Sequence, residues 1–245
     1  PHMLSNVCQK LNTKMIHITT DCVFSGKDGN YDENDEHDCD DIYGKTKSEG
    51  EPENCCVIRT SIIGEEVNHK RSLIEWIKSM EGKVANGFTN HTWNGLTCLE
   101  LAKVIEKIIL NDWYWNGVRH IHSPDTVTKK ELLSIVNSVY DLNIDIVDMK
   151  TDKNCHRSLK TIYDLEKYEI SKINKQVLDL CEFEKTIDKF PTTVNFPIIV
   201  HKKGECFYTI NALNLLIEKI SGSDIGNLNY KDFKVNWDEY QNQII

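Results

Sequence analysis

The sequence predicts an α/β protein, because short apolar strands alternate with amphipathic helices along most of its 245 residues. The runs Met15–Thr19 and Cys55–Arg59 are short, apolar and bounded by polar residues, as buried parallel strands are. Between such runs, segments like Leu99–Leu110 carry apolar residues every three or four positions, which predicts helices with one buried face. The length is sufficient for one large domain or two smaller ones.

The first predicted elements follow in chain order. Residues 4–12 resemble the end of an amphipathic helix, and the strand Met15–Thr19 follows. Ser25–Gly29 predicts a turn, and Glu33–Asp41 an acidic, solvated loop. The end of this loop offers Asp40 or Asp41 as the N-cap of a helix that carries Tyr43 and Lys47.

The middle of the chain continues the alternation. A helix is predicted at Ser72–Met80, an irregular segment at Gly87–Gly95, and a strand at Gly117–His122 after the helix Leu99–Leu110. The helix predicted at Thr128–Tyr140 begins with a capping-box pattern, since Glu131 stands three residues after Thr128. A short strand is predicted at Ile144–Val147.

The character of the chain changes near Pro191. Helical segments are expected up to Phe190, followed by a β-hairpin of Phe196–His201 and Glu205–Ile210, a helix at Asn211–Ile220 and an irregular tail with Trp237. We therefore predict a main domain over residues 3–190 and a small α+β module over residues 191–245, whose role the sequence does not indicate. A module of this size is at the edge of independent stability.

Composition excludes several classes of function. The net charge of −9 argues against a general surface for nucleic acid or anionic membranes. No apolar stretch approaches the ~20 residues that span a bilayer, and no signal-peptide pattern precedes the first helix, so a cytoplasmic protein is expected. The nine cysteines are scattered, with no CxxC pair, which predicts buried, reduced thiols and no metal site.

The pair Tyr43 and Lys47 is the most informative feature of the sequence. Residues four apart on a helix lie on one face, and an ammonium beside a phenol can lower the tyrosine pKa from about 10 toward neutrality. Thr20, at the end of the strand upstream, could share a substrate oxygen with that phenol. These groups are typical of a dehydrogenase that reduces a carbonyl; the alternative is a surface Tyr/Lys pair and a threonine that caps a strand end.

An ordered series of motifs surrounds this pair, namely His17–Gly26, Tyr31, Glu33, Tyr43–Glu51 and Arg59–Gly64. The series resembles the extended short-chain dehydrogenase/reductases over roughly residues 4 to 185, and within them the dTDP-4-dehydrorhamnose reductase group. The resemblance implies the C-terminal part of a Rossmann-like fold with a substrate domain, and the NADPH-dependent reduction of a nucleotide-linked 4-keto-6-deoxysugar. It implies a catalytic set of Thr20, Tyr43 and Lys47, with Tyr43 and Lys47 also contacting NADP(H), or alternatively NAD(H).

The sequence departs from this family in two places. The family begins with a strand, a glycine-rich phosphate-binding turn and a helix, and no such pattern occurs here, so we expect a fragment that binds no cofactor alone. The family's substrate loop is replaced by Asn90–Gly95. In this loop Asn90, His91, Trp93 and Asn94 are candidates for substrate binding, or else form a loop anchored by one buried tryptophan.

Two further residues are candidates for substrate binding. Asp21 follows Thr20 and could shape the pocket or cap a turn. Arg59 ends a strand and could hold a phosphate or Glu33, or form an ordinary ion pair.

The expected partners are a nucleotide-linked sugar and a second copy of the chain, because missing strands would leave an open sheet edge. The alternative is a non-catalytic regulatory or scaffold subunit. The beta subunit of methionine adenosyltransferase resembles the same family, which makes this alternative concrete.

Overall fold

The structure is a computed structural model that describes residues 1–66, 72–187, 199–203, 206–211 and 216–221. The chain divides into two units, Pro1–Lys185 and Thr186–Ile245.

The first unit contains six helices and ten strands among the described residues, and the last helix ends two residues beyond the unit. In chain order these elements are α1 (His2–Lys10), β1 (Ile16–Thr20), α2 (Ile42–Glu49), β2 (Cys56–Thr60), β3 (Ile62–Ile63), α3 (Leu73–Ser79), β4 (Val84–Phe88), β5 (His91–Trp93), β6 (Leu96–Thr97), α4 (Cys98–Leu110), β7 (Gly117–His120), β8 (Val127–Thr128), α5 (Lys129–Tyr140), β9 (Asp145–Met149), β10 (Cys155–His156) and α6 (Ile173–Ile187). Short 3-10 turns lie at Asp21–Val23 and Glu166–Tyr168.

A parallel sheet of β1, β2 and β7, in that order, is the base of the site. Thr20 pairs with Thr60, and Arg59 with His120, so the carboxyl ends of the three strands meet at one edge. Every residue of β2 is buried, as expected for a strand covered on both faces. Helix α4 packs its apolar stripe beneath this sheet; the stripe is Leu101, Val104 and Ile108.

A second group of elements packs above the carboxyl edge. Strand β4 pairs with β9, and β5 lies between β10 and β8. Helices α3 and α5 contribute Ile74, Ile77 and Leu132 to a core that also contains Trp93. The capping box predicted for α5 is confirmed, because Thr128 Oγ1 accepts from Glu131 N while the Glu131 carboxylate accepts from Thr128 N.

In the first unit the local predictions are mostly confirmed, and the prediction for one segment is wrong. The strands at Met15–Thr19 and Cys55–Arg59 are present one residue further along, as β1 and β2. Gly87–Gly95, predicted as irregular, contains the end of β4 and all of β5. Its strand partners lie in β8, about thirty-five residues away, and in β9 and β10, about sixty residues away, so nothing in the local sequence indicates the pairing.

In the second unit the structure describes the backbone of an antiparallel sheet of β11 (Ile199–Lys203), β12 (Cys206–Asn211) and β13 (Leu216–Ser221). The predicted hairpin is confirmed as β11 and β12. The predicted helix at Asn211–Ile220 is wrong, because Asn211 ends β12 and Leu216–Ser221 pairs with β12. Apolar residues at 216, 217 and 220 fit a helix face, and strand pairing overrides that preference. The tail with Trp237 lies outside the described residues.

Three sequence predictions concern thiols, metals and membranes. The eight cysteines whose side chains the structure describes are free, and four of them, Cys39, Cys55, Cys56 and Cys181, are buried. Burial raises the pKa of the Cys56 thiol to about 12, so this group stays protonated. Over the described residues, no group of three or more His, Cys, Asp or Glu side chains could hold a metal ion. None of the described helices is long and apolar enough to cross a membrane.

Candidate functional site

Thr20 is the last residue of β1, at the carboxyl edge of the parallel sheet. Its hydroxyl accepts a hydrogen bond from Cys22 N at 3.2 Å and donates to Asp21 Oδ1 at 3.2 Å. The hydroxyl therefore caps the 3-10 turn that follows the strand, and these two bonds fix its position at the sheet edge.

Helix α2 presents Tyr43 and Lys47 on one face. Asp41 is the N-cap, since its Oδ1 accepts from Gly44 N at 2.7 Å; this confirms one of the two predicted caps. The Lys47 Nζ lies 5.6 Å from the centroid of the Tyr43 ring. Tyr43 is 55 % exposed, so its phenol is open to a ligand.

Gly44 lets α2 lie directly on the turn that follows Thr20. A Cβ at this position would stand 2.4 Å from the Cys22 carbonyl oxygen and 2.7 Å from Cys39 Cβ. Only glycine allows so close an approach of the two backbones. Gly44 was not predicted as a site residue. The signal for it was a glycine inside a helical motif, where glycine is normally unfavourable.

We expect Gly44→Ala to lower the free energy of unfolding by roughly 1–3 kcal/mol, because the added methyl group overpacks a fixed backbone contact. Denaturant unfolding followed by circular dichroism measures this change. Gly50→Ala, at the C-cap of α2, is the matched control, since its Cβ would meet no atom closer than 3.1 Å and its φ of −89° suits alanine. Equal stability of the two variants would contradict the packing argument.

Asp21 lies beneath the site as a nearly buried carboxyl group, 5 % exposed. Burial raises its pKa, while the Thr20 hydroxyl and the positive charges of Arg157 and Lys129 oppose that rise. The sequence analysis named Asp21 and missed both of these basic residues.

Arg157 and Lys129 are incompletely paired. Arg157 Nη1 donates to Cys22 Sγ at 3.4 Å, and its buried Nε has no hydrogen-bond partner among the described residues. Burial lowers the pKa of Lys129, whose Nζ lies 5.4 Å from the centroid of the Trp93 ring. A lysine in the first turn of α5 is unfavourable for the helix dipole. This unfavourable position was the sequence signal that could have indicated a role for Lys129.

Arg59 is not exposed to a ligand, because it is 2 % exposed and its guanidinium is bound within the protein. Its Nε and Nη2 donate to the two carboxylate oxygens of Glu51, at 3.1 and 2.6 Å. Of the two alternatives for Arg59, the structure contains the ion pair, with Glu51 and not with Glu33. Glu33 instead accepts from His120 N at 2.8 Å and Ile162 N at 3.0 Å.

The polar residues of the Asn90–Gly95 loop bond mainly to the protein. Asn90 Nδ2 donates to the Thr151 carbonyl at 2.9 Å, and His91 Nε2 lies 2.7 Å from Thr151 Oγ1. Asn94 Nδ2 donates to the Leu159 carbonyl at 2.7 Å while Asn94 Oδ1 accepts from Leu159 N at 2.9 Å.

Trp93 anchors the same loop. It is 3 % exposed, and its Nε1 donates to Ser61 Oγ at 2.9 Å. The loop thus matches the alternative in which one buried tryptophan anchors it. Substrate binding by Asn90, His91, Trp93 and Asn94 stays a prediction.

A cavity of about 280 Å³ lies at the amino edge of the sheet, away from Thr20 and α2, and we assign it no role. A second cavity, of about 220 Å³, lies between α3, β4 and α5. Its walls are mainly apolar, with aromatic rings from Trp76 and Phe88, and its polar members are Asn86, His91 and Lys129. Apolar walls with a few polar groups are typical of sites for small organic ligands.

Helix α2 carries a Tyr/Lys pair on one face and packs through Gly44 on the turn that follows Thr20, the last residue of a parallel strand. This arrangement is typical of short-chain dehydrogenase/reductase folds. Comparison with known families agrees: the chain belongs to the RmlD substrate binding domain family, whose model matches residues 1–145. The fold class and the family that the sequence predicts are thereby confirmed.

One curated relative is the dTDP-4-dehydrorhamnose reductase of Aggregatibacter actinomycetemcomitans, 30% identical over 156 residues. The match covers 59% of this chain and 50% of the relative, so the chain spans half the length of that relative.

Solved structures share the fold. A dTDP-4-dehydrorhamnose reductase from Clostridium acetobutylicum superposes with a TM-score of 0.60 at 17% identity, covering 74% of this chain and 70% of that one. The dTDP-4-dehydrorhamnose reductase from Bacillus anthracis, in complex with NADP, gives a TM-score of 0.59 at 16% identity, with coverage of 75% and 69%.

Proposed function

We propose that the full-length protein reduces the keto group of a nucleotide-linked 4-keto-6-deoxysugar with NADPH. The observation that carries this proposal is the pairing of Tyr43 with Lys47 on a helix that packs, through Gly44, on the turn after Thr20. Family membership and the likeness to a dTDP-4-dehydrorhamnose reductase support the substrate class.

The residues have distinct roles in this reaction. When bound, the nicotinamide cofactor supplies the hydride that adds to the carbonyl carbon. Tyr43 donates the proton that the carbonyl oxygen takes up. The Thr20 hydroxyl polarises the same oxygen when its single proton turns from Asp21 Oδ1 to the substrate. The Lys47 ammonium stabilises the phenolate that remains on Tyr43 after the transfer.

The residues present fit the nicotinamide end of such a cofactor. Lys47 forms no ion pair among the described residues, so its ammonium is available to bond ribose hydroxyl groups. The exposed Tyr43 phenol lies on the same helix face. NADP(H) is the expected cofactor, with NAD(H) as the alternative.

The groups around Asp21 fit the anionic part of such a substrate. Arg157 and Lys129 bring two basic side chains next to the single carboxyl group of Asp21. A diphosphate offers the acceptor atoms that the unpaired Arg157 Nε lacks. The cavity lined by Trp76, Phe88 and Asn86 suits the planar base of a nucleotide.

The test is NADPH oxidation by the full-length gene product in the presence of a dTDP-linked 4-keto-6-deoxysugar, followed by absorbance. We expect turnover with this substrate and none with the free sugar, which lacks the diphosphate. Absence of turnover on dTDP- and UDP-linked ketosugars alike would contradict the proposal. We also expect the protein to reside in the cytoplasm, where its free thiols stay reduced.

We expect the chain to self-associate through α1 and the outer edge of β1. Met3 is 82 % exposed and Leu11 66 % exposed, and β1 pairs only with β2 among the described strands. Light scattering should detect a dimer or larger assembly, which Leu11→Glu should weaken. Ile109→Glu on α4 is the control, because it changes an exposed apolar residue elsewhere. A monomer at high concentration would contradict the expectation.

A further inference from the structure

Arg59 joins the end of β2 to the segments on both sides of α2. Besides its two bonds to Glu51, Nη2 donates to His37 Nε2 at 2.7 Å and Nη1 donates to His120 Nε2 at 2.7 Å. A guanidinium can only donate hydrogen bonds, so both ring nitrogens must accept. In this arrangement neither His37 nor His120 carries a proton on Nε2.

The neutral form of His37 reaches α2 directly. With Nε2 unprotonated, the ring hydrogen of His37 is on Nδ1, which lies 2.5 Å from Ser48 Oγ and donates to it. Ser48 follows Lys47 in the last turn of α2. One imidazole therefore connects Arg59 at the sheet edge with the helix that carries Tyr43 and Lys47.

The groups that surround His37 make protonation disruptive. Arg59 faces its Nε2, the Glu51 carboxylate lies 3.9 Å from the same atom, and Asp38 is the next residue. The Phe24 ring lies nearly perpendicular to the imidazole, at a centroid distance of 5.6 Å. A proton on Nε2 would set an N–H group against the N–H of Arg59 and favour rotation of the ring toward Glu51.

We propose that His37 is a positioning residue whose neutral ring holds the last turn of α2 against the sheet edge, and that acid releases this turn. The inference rests on the proposed function only for its consequence, which is loss of the Tyr43 and Lys47 geometry at low pH. The hydrogen bonds of His37 to Arg59 and Ser48 do not depend on that function.

The sign of the pH dependence follows from the pKa of His37. Burial and the charge of Arg59 lower this pKa, against smaller opposing effects of Glu51 and Asp38. The form in which His37 holds the last turn of α2 is therefore fully favoured above the ordinary histidine pKa of about 6.5. It is weakened as the pH falls toward the lowered pKa of His37. Within that window the opening constant of α2 rises by up to about tenfold per pH unit.

Two other histidines of lowered pKa lie nearby. His120 binds Arg59, but its Nδ1 contacts the carbonyl oxygens of Tyr31 and Lys160 and not α2. His17 lies on β1 near Lys47 and Gly50, without a bond to Arg59. His17→Gln is therefore the matched control for His37→Gln, whose amide oxygen can still accept from Arg59.

Hydrogen exchange of residues 42–51, corrected for the intrinsic rate, tests the proposal on this chain without substrate. Measurements about one pH unit above and one below the ordinary histidine pKa should differ by roughly three- to tenfold in the opening of α2. If the difference persisted in His37→Gln, another group would cause it, and the proposal would be overturned. We expect it to vanish in His37→Gln and to remain in His17→Gln. No difference in the unmodified chain would also overturn the proposal.

A titration of the unmodified chain decides the case if His37→Gln does not fold. In a proton NMR titration, the His37 ring and the amides of Tyr43 and Lys47 should report one midpoint, and separate midpoints would overturn the proposal. Neither measurement involves carbonyl reduction. An inactive reductase with a pH-dependent α2 would refute the proposed function alone, and an active one with a pH-independent α2 would refute this inference alone.

Discussion

Tyr43→Phe is expected to lower the rate of NADPH-dependent carbonyl reduction by the full-length protein by ~10²–10⁴-fold, the usual contribution of general acid catalysis. The variant removes only the phenolic oxygen, so cofactor affinity should stay close to that of the unmodified protein. Turnover assays together with calorimetric titration of NADPH measure the two effects separately. Tyr163→Phe, which changes a partly exposed tyrosine outside α2, is the matched control and should remain active.

Lys47→Ala should differ from Tyr43→Phe in a diagnostic way. The ammonium is expected to serve both the phenol and the cofactor, so this variant should lose activity and NADPH affinity together. Full activity of Tyr43→Phe on every nucleotide-linked ketosugar tried would remove the basis for a reductase. The regulatory or scaffold subunit would then be the better hypothesis.

Glu51→Ala is expected to lower the free energy of unfolding by about 3–5 kcal/mol, because it leaves the buried charge of Arg59 without its carboxylate. Both partners of this pair are nearly inaccessible to water, so solvent screening offers little compensation. Equilibrium unfolding in urea measures the change.

Glu53→Ala is the matched control for Glu51→Ala, since it deletes an exposed carboxylate two residues away. Its effect should lie within about 0.5 kcal/mol. If both variants lost the same stability, the cost would come from the segment's backbone and not from the charge of Arg59. A double-mutant cycle with Arg59→Met would then show no coupling.

The sequence predicts those parts of the fold whose signals are local. Each of these signals spans only a few residues: the apolar run before Thr20, the i to i+4 spacing of Tyr43 and Lys47, and the capping box of α5. The irregular segment predicted at Gly87–Gly95 failed because its strand partners are distant in sequence. Helix and strand patterns overlap in short apolar runs, which explains the error at Leu216–Ser221.

The candidate site divides in the same way. The Thr/Tyr/Lys set could be proposed from the sequence because its residue types and spacing are specific. Lys129 and Arg157 could not, since they reach Asp21 from segments more than a hundred residues away. Arg59 was recognised as charged and strand-terminal, but the choice among Glu33, Glu51 and a ligand depends on which chain segments meet. Such choices are set by tertiary structure and leave no local pattern.

The contact between Tyr31 and Leu159 has a consequence for biosynthesis. The Tyr31 backbone forms a bridge with Leu159, and Asn30 N donates to Ser158 Oγ at 3.0 Å, so the loop before α2 is held by residues made much later. Contacts of such sequence separation form late, because the closure of long loops costs entropy first. On the ribosome, the loop that leads into α2 cannot be secured until the segment around Leu159 has emerged. A nascent chain arrested before that point should expose the sheet edge beside Thr20 to chaperones.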